Sequence, residues 1–411
     1  MTGVPRCKGM QDLLPEDMLK FRCIEQAFRD HCLGCGYREV RTPTLEYLHL
    51  FTAAGTLTPG MLGRVYTFLD WDGWSGERVV LRPDGTIPVA RLYLENFEGA
   101  DITRLFYVEN TFTFEGTGKE RRERWQCGAE LIGSGQPVAD VELILLATEV
   151  LERLGAGPVA VKLSHAGLIK ALLSELGLME AEQAEIWDQV LEGDAKALER
   201  VKTRNAALER VIPLMLEVKG NSSGFLKNIG VLLGESRTRL MPELDNLTEI
   251  AELLGAMKCS YQIDIASGRG FEYYTGGMFQ FYANGERIGG GGRYNDLIPL
   301  VGGGPIPASG FALYVDKLMD RIKLEATGRS GVLISAMGSG AGQTKISFEL
   351  AHSLRDAGCC AEINLGRKSA EGFDWHLVVL AENSFQLTNL ATGRMCQAVS
   401  PAEVLWLIRG A

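Results

Sequence analysis

The sequence predicts an α+β protein: an antiparallel sheet flanked by helices, with a helical insertion and a small C-terminal α/β domain. Three observations predict it. Strand-like segments at Arg104–Phe114, Trp125–Ile132 and Tyr273–Tyr282 stand beside helical segments at Glu16–His31 and Pro137–Leu154, and antiparallel strands with helices at their ends suit α+β. From Ala166 to about Ala256 the pattern turns helical, as in an insertion within a core. After a linker, Lys323–Gly331, a strand and helix pattern resumes and runs to Ala411. The expected domains are residues 1–325, with the insertion at about 166–256, and residues 331–411.

Taken in order, Glu16–His31 reads as an amphipathic helix, stopped by Gly34 and Gly36,. Tyr37–Pro43 follows as extended chain, its proline suited to a strand end,. Tyr66–Leu81 reads as a hairpin around Asp72-Gly73,. The next two strands are joined by the charged loop Gly116–Arg124, and the helix from Pro137 to Leu154 ends at Gly155. Strand text returns at Ser260–Ile265, Tyr273–Tyr282 and Arg287–Ile288, and a helix is expected from Gly310 to Lys323. In the last domain strands are expected at Val332–Met337, Ala361–Leu365 and His376–Leu380, with a helix at Thr344–Ala357.

Composition narrows the function. A chain of 411 residues has room for two or three cores, and a hydrophobic fraction of 46% is that of a soluble globular protein,. No apolar run is long enough for a bilayer and Met1–Lys8 lacks a secretory core, so a cytoplasmic protein with no membrane partner is expected,. A net charge of −10 argues against a broad electrostatic grip on nucleic acid,. The nine cysteines are scattered and read as reduced thiols,. In the only C-x-x-C, Cys32 continues the apolar stripe of Ile24 and Phe28, and the five histidines show no ligand spacing,. Gly338-Ser-Gly-Ala-Gly342 lacks the third glycine of a dinucleotide fingerprint, since Gln343 stands there,. No cofactor and no metal is expected.

The chemistry gathers in a few short stretches. Arg82-Pro-Asp-Gly-Thr86 places a carboxylate and a hydroxyl at a strand end. Gln126 and Glu130, four apart on a strand, point to one face,. Oxygen-bearing groups converging in this way suit an ammonium group. Arg269-Gly-Phe-Glu-Tyr-Tyr274 adds a guanidinium for a carboxylate and two phenols for a polar ring,. Ile288-Gly-Gly-Gly-Gly-Arg-Tyr294 reads as a Gly-rich turn that lets backbone approach a ligand,.

In their order along the chain these pieces resemble the class II histidyl-tRNA synthetase catalytic domain, from Lys8-Gly-Met-Gln-Asp-Leu-Leu-Pro15 to Leu318. Gly36-Tyr-Arg-Glu-Val-Arg-Thr-Pro43 is similar to the first class II motif, which implies a dimer interface. Tyr107–Gly133 is similar to the second motif and Gly310–Leu318 to the third. The resemblance implies histidine-binding roles for Asp84, Thr86, Gln126, Glu130, Arg269, Tyr273 and Tyr274, with Asp84 standing where that family has Glu.

The ATP-binding part departs from the family. Phe112-Thr-Phe-Glu115 has Thr113 where the resemblance implies an α-phosphate arginine, and Lys317 stands where a γ-phosphate arginine is expected. The adenine-stacking position is Arg124, with Trp125 displaced by one. A guanidinium gives phosphate two parallel hydrogen bonds, which Thr cannot and Lys gives only as a point charge. Losing one such donor costs roughly 10²–10³ in rate. The alternative is a divergent but active histidine–tRNA ligase in which Lys317 and Arg121 or Arg122 compensate.

A synthetase-like chain that keeps the amino-acid groups and loses the ATP groups resembles the ATP phosphoribosyltransferase regulatory subunits. That resemblance implies a non-catalytic subunit of the first step of histidine biosynthesis, a short-form catalytic partner, a homodimer core within a hetero-oligomer, and histidine as ligand. The C-terminal unit resembles a degenerate anticodon-binding domain at Leu354-Arg-Asp-Ala-Gly358 and Leu390-Ala-Thr-Gly393. Its stretch between Arg367 and Trp375 is too short for that family's helix, so tRNA is not an expected partner.

Overall fold

Sheet register decides which face of a sheet each strand residue presents. The computed structural model describes residues 5–54, 63–70, 76–117, 120–192, 197, 208, 212–215, 220–233, 239–265, 273–323, 330–338 and 340–409. Among them the strands are β1 (Arg38–Glu39), β2 (Leu45–Tyr47), β3 (Thr67–Leu69), β4 (Arg78–Leu81), β5 (Thr103–Phe112), β6 (Glu123–Ile132), β7 (Val159–His165) and β8 (Tyr261–Ile263). They continue as β9 (Gly277–Ala283), β10 (Glu286–Arg293), β11 (Ala308–Tyr314), β12 (Gly331–Ala336), β13 (Cys360–Ile363), β14 (Trp375–Ala381), β15 (Ser384–Asn389) and β16 (Met395–Ala398). The chain divides into two units, Met1–Lys323 and Leu324–Ala411.

The first unit is built on an eight-stranded sheet ordered β1-β5-β6-β11-β10-β9-β7-β8. The outermost pairs, β1 with β5 and β7 with β8, are parallel, and the pairs between them are antiparallel. One face carries the cross-strand row Phe106, Ala129, Phe311, Gly291, Phe279. Helix Pro15–Gly34 packs on that face, with the Phe28 ring 5.9 Å from Phe106 and 6.2 Å from Phe311. Phe21, Ile24, Phe28 and Cys32 form its buried stripe, at the i, i+3, i+4 spacing of a helix face,. Helix Pro137–Arg153 buries Leu143, Ile144, Ala147, Val150 and Leu151 in the same core. The β3–β4 pair flanks Asp72-Gly73, which lies outside the described residues, and β2 adds a third strand to it.

Helices Ala166–Glu175, Glu180–Glu192, Ser223–Leu233 and Leu240–Ala256 separate β7 from β8. A parallel pair needs a long crossover of this kind. Strand β7, Val-Ala-Val-Lys-Leu-Ser-His, was not anticipated from the sequence.

Two expectations are corrected. Gly289–Gly292 is the middle of strand β10, not a turn: both its neighbours, β9 and β11, hold it in register. Gly310–Tyr314 belongs to strand β11, and only Val315–Met319 is helical where a helix from Gly310 to Lys323 was expected. A short apolar run reads equally as helix or strand, and pairing with β6 and β10 decides for strand,.

The second unit has a five-stranded sheet ordered β13-β12-β14-β15-β16. β12 is parallel to both neighbours, and the last two pairings are antiparallel. Helix Ala341–Asp356 buries Leu350, Ala351 and Leu354 against it, and helix Pro401–Arg409 buries Val404 and Ile408. No helix occupies residues 364–374. Strands β15 and β16 and the last helix go beyond what the sequence pattern suggested. No described helix is long and apolar enough to cross a membrane.

A candidate amino-acid pocket

The face of the large sheet opposite Phe28 is hollow because its side chains are missing there. Leu105, Glu130, Gly310, Gly292 and Met278 lie side by side across β5, β6, β11, β10 and β9. The next row is Tyr107, Gly128, Ala312, Gly290 and Gln280. Four glycines and an alanine at the middle of two rows leave a depression among large neighbours. A Cβ on Gly128 would collide with the Tyr107 ring, and one on Gly310 with Glu130 Oε2. The resulting cavity holds about 240 Å³ and is walled by Asp84, Thr86, Gln126, Tyr273, Tyr274 and Tyr294. That is below the roughly 300–1,000 Å³ of drug-sized sites and suits a smaller ligand.

Glu130 is the buried centre of the site. It accepts hydrogen bonds from Thr86 Oγ1 (2.8 Å), Tyr107 OH (3.3 Å) and Tyr294 OH. Gln126 Nε2 donates in turn to Tyr107 OH at 3.3 Å. Burial pushes the Glu130 carboxyl up to about 8; the hydroxyls of Tyr294, Thr86 and Tyr107 oppose the rise and the nearby Asp84 charge adds to it,. Asp84 is raised by burial too, opposed by the N–H groups of Ile87 and Thr86. Its Oδ1 accepts from Ile87 N at 3.0 Å, capping helix Thr86–Asn96, and Oδ2 accepts from Tyr273 OH at 3.5 Å,. Two neighbouring carboxyls with raised pKa favour a cationic ligand, which would restore both to the ionised form,.

The structure thus brings together Asp84, Thr86, Gln126, Glu130, Tyr273 and Tyr274, while Arg269 lies outside the described residues. Sequence reasoning missed Tyr107 and Arg287, both close to this cavity, and it singled out the glycine-rich stretch ending at Tyr294 without giving Tyr294 a role. A tyrosine facing a glycine across a strand pair, Tyr107 against Gly128, is the signal that register alone supplies. Arg293, in the same glycine-rich stretch, points elsewhere: it pairs with buried Asp140 at 2.7 Å and donates to the Ser134 and Gln136 carbonyls.

The loop carrying Asp84 is riveted from behind. Buried Arg82 pairs with Glu109 at 2.7 Å and donates to the Asn110 carbonyl (2.7 Å), Asn110 Oδ1 (2.9 Å) and the Thr42 carbonyl (2.8 Å). Pro83 to Thr86 is therefore held between β5 and the segment before β2.

The positions expected to meet ATP are differently disposed. Thr113 lines the cavity wall and its N–H donates to the Arg122 carbonyl at 2.8 Å. Lys317 pairs with Glu286 at 2.5 Å, and Arg321 holds the other oxygen of that carboxylate at 2.6 Å. Arg121 pairs with Asp316 at 3.0 Å. Arg122 donates to the Glu115 carbonyl at 2.7 Å and lies 4.6 Å over the Phe114 ring. Arg124, on the cavity rim, pairs with Glu120 at 3.0 Å. Each cation considered as a substitute for the lost arginines is engaged within the chain.

Sheet, pocket and flanking helices define a class II aminoacyl-tRNA synthetase-like protein. The histidyl-tRNA synthetase family model matches residues 9–318. Over 410 residues the chain is 48% identical to the ATP phosphoribosyltransferase regulatory subunit of Dehalococcoides mccartyi, covering 99% of each chain. It is 32% identical over 371 residues to the histidine–tRNA ligase of Archaeoglobus fulgidus, covering 88% of this chain and 86% of the ligase. A solved structure from Bacillus halodurans, described as an ATP phosphoribosyltransferase regulatory subunit/histidyl-tRNA synthetase, has the same fold: the TM-score is 0.77 at 24% identity, covering 89% of this chain and 94% of that one. The chain belongs to the family of ATP phosphoribosyltransferase regulatory subunits, built on the histidyl-tRNA synthetase fold.

Proposed function

We propose that this chain is the non-catalytic regulatory subunit that a short-form ATP phosphoribosyltransferase catalytic subunit requires for the first step of histidine biosynthesis. Histidine is its ligand and carries the feedback signal. The working assembly is a cytoplasmic hetero-oligomer built around a homodimer of this chain, and the C-terminal unit serves as a degenerate anticodon-binding-like domain that does not read tRNA. One observation supports this above the rest. The cavity keeps Asp84, Thr86 and Gln126, backed by the buried Glu130 that Thr86 touches, for an ammonium group, and Tyr273 and Tyr274 for the ring. The phosphate positions beside it hold Thr113 and an ion-paired Lys317. Binding without activation is what such a site can do.

Feedback adds a thermodynamic requirement: histidine must bind the inhibited arrangement of the complex more tightly than the active one. Calorimetry on the complex with the catalytic subunit tests the pocket. Histidine should bind, and Glu130→Ala should weaken it at least about tenfold, because a buried charge-assisted contact contributes roughly 1.5–3 kcal/mol. An unchanged affinity would defeat the assignment. The purified chain should also show no histidine-dependent exchange of pyrophosphate into ATP; exchange would make it a ligase.

A further inference from the structure

Beside the pocket, β10 carries a bulge. Glu286 and Arg287 pair with Ala283 and Tyr282, whereas Gly289, Gly290 and Gly291 pair with Phe281, Gln280 and Phe279, so Ile288 is the extra residue. An extra residue resets the alternation of side chains along a strand. Arg287, three positions before Gly290, would point to the opposite face in a regular strand; with the bulge it shares Gly290's face and enters the cavity. Its guanidinium lies over Gly290, where a Cβ would come within 2.8 Å of Nη2. Its Cζ is 5.8 Å from the centre of the Tyr314 ring. Burial raises the Tyr274 hydroxyl and the Arg287 charge opposes the rise.

The cavity therefore has two acids towards β6, Glu130 on the strand and Asp84 close to it, and the Arg287 guanidinium on β10; the other guanidinium on its lining, Arg124 of β6, is paired with Glu120 at the rim. The two strands are two interstrand spacings apart, roughly 10 Å. With side chains reaching inward from both, that span fits a small zwitterion with its ammonium towards Glu130 and Asp84. We propose that Arg287 binds the α-carboxylate of the amino acid in this pocket and so makes it selective for the zwitterion over the corresponding alcohol or amine. The proposal rests on the histidine-pocket reading and adds the group that reads the other end of the ligand. It moves the carboxylate contact from Arg269 to a residue brought in by the bulge.

The test is calorimetry on the full chain with histidine, histidinol and histamine, comparing the parent with Arg287→Met, Arg287→Lys and Arg269→Met. The parent should prefer histidine over histidinol by about 10- to 100-fold, the worth of one charge-assisted pair. Arg287→Met should bind histidine only as well as it binds histidinol, while its histidinol affinity stays at the parent value, which also shows that the variant folds. Arg287→Lys should recover part of the preference. A preference retained in Arg287→Met, or lost only in Arg269→Met, overturns the proposal. So does binding of AMP that depends on Arg287 while histidine binding does not. Absence of histidine binding by the parent chain would overturn the pocket reading itself and this assignment with it.

Discussion

Glu130 is the residue on which the site turns, and its environment makes a prediction in pH. Burial raises it from 4.5 to about 8, so the folded chain holds this proton more tightly than the unfolded chain. Below about pH 4.5 both states are protonated and ionisation costs nothing. As pH rises towards about 8 the unfolded chain ionises first, and stability is progressively lost; above about 8 the loss is complete,. Glu130→Gln, neutral at every pH, should therefore gain in melting temperature relative to the parent between pH 5 and 8. A difference that stays flat over that range would contradict the assigned environment. Residue chemistry of this kind was partly legible in the sequence: Gln126 and Glu130 stood out as polar groups on one face of a strand, and Asp84 as a carboxylate at a strand end. Tyr107 and Arg287 did not, because they reach the cavity through register and a bulge that no local pattern encodes.

At the scale of the element, glycine in β10 and β11 is a packing device. Gly289–Gly292 reads locally as a turn because glycine tolerates any backbone and is common in turns. In the sheet its use is the absent side chain, which lets aromatic neighbours and Glu130 occupy the space,. Gly310→Ala tests this, since its Cβ would stand inside van der Waals contact of the Glu130 carboxylate. Overpacking a filled core typically costs about 1–3 kcal/mol. Chemical denaturation should show a loss of that order together with loss of histidine binding, whereas Gly304→Ala, facing open space, should be near neutral. Equal effects of the two changes would refute the argument. The same logic explains which elements were readable. Helices Pro15–Gly34 and Pro137–Arg153 have a proline start and a continuous apolar stripe, signals carried within the segment,. Strands β7 and β11 owe their state to neighbours distant in sequence.

At the scale of the molecule, the pocket and its scaffold lie within one unit. The large core runs from Phe21 to Ile322, and the second core, from Val332 to Ile408, is a separate cluster around its own sheet. A unit with its own core is able in principle to fold by itself. Every pocket group named above, from Asp84 to Tyr314, belongs to the first unit. Ending the chain at Lys323 should therefore leave a protein that melts cooperatively and binds histidine within about twofold of the full chain, a change of no more than about 0.4 kcal/mol. Circular dichroism and calorimetry on the shortened chain read both quantities. A cooperative melt with lost affinity would mean that the second unit shapes the pocket; loss of the melt would mean that the first core needs the second to fold. Retained affinity combined with failure to activate the catalytic subunit would separate the two roles, placing ligand recognition in residues 1–323 and the activating contact in residues 324–411.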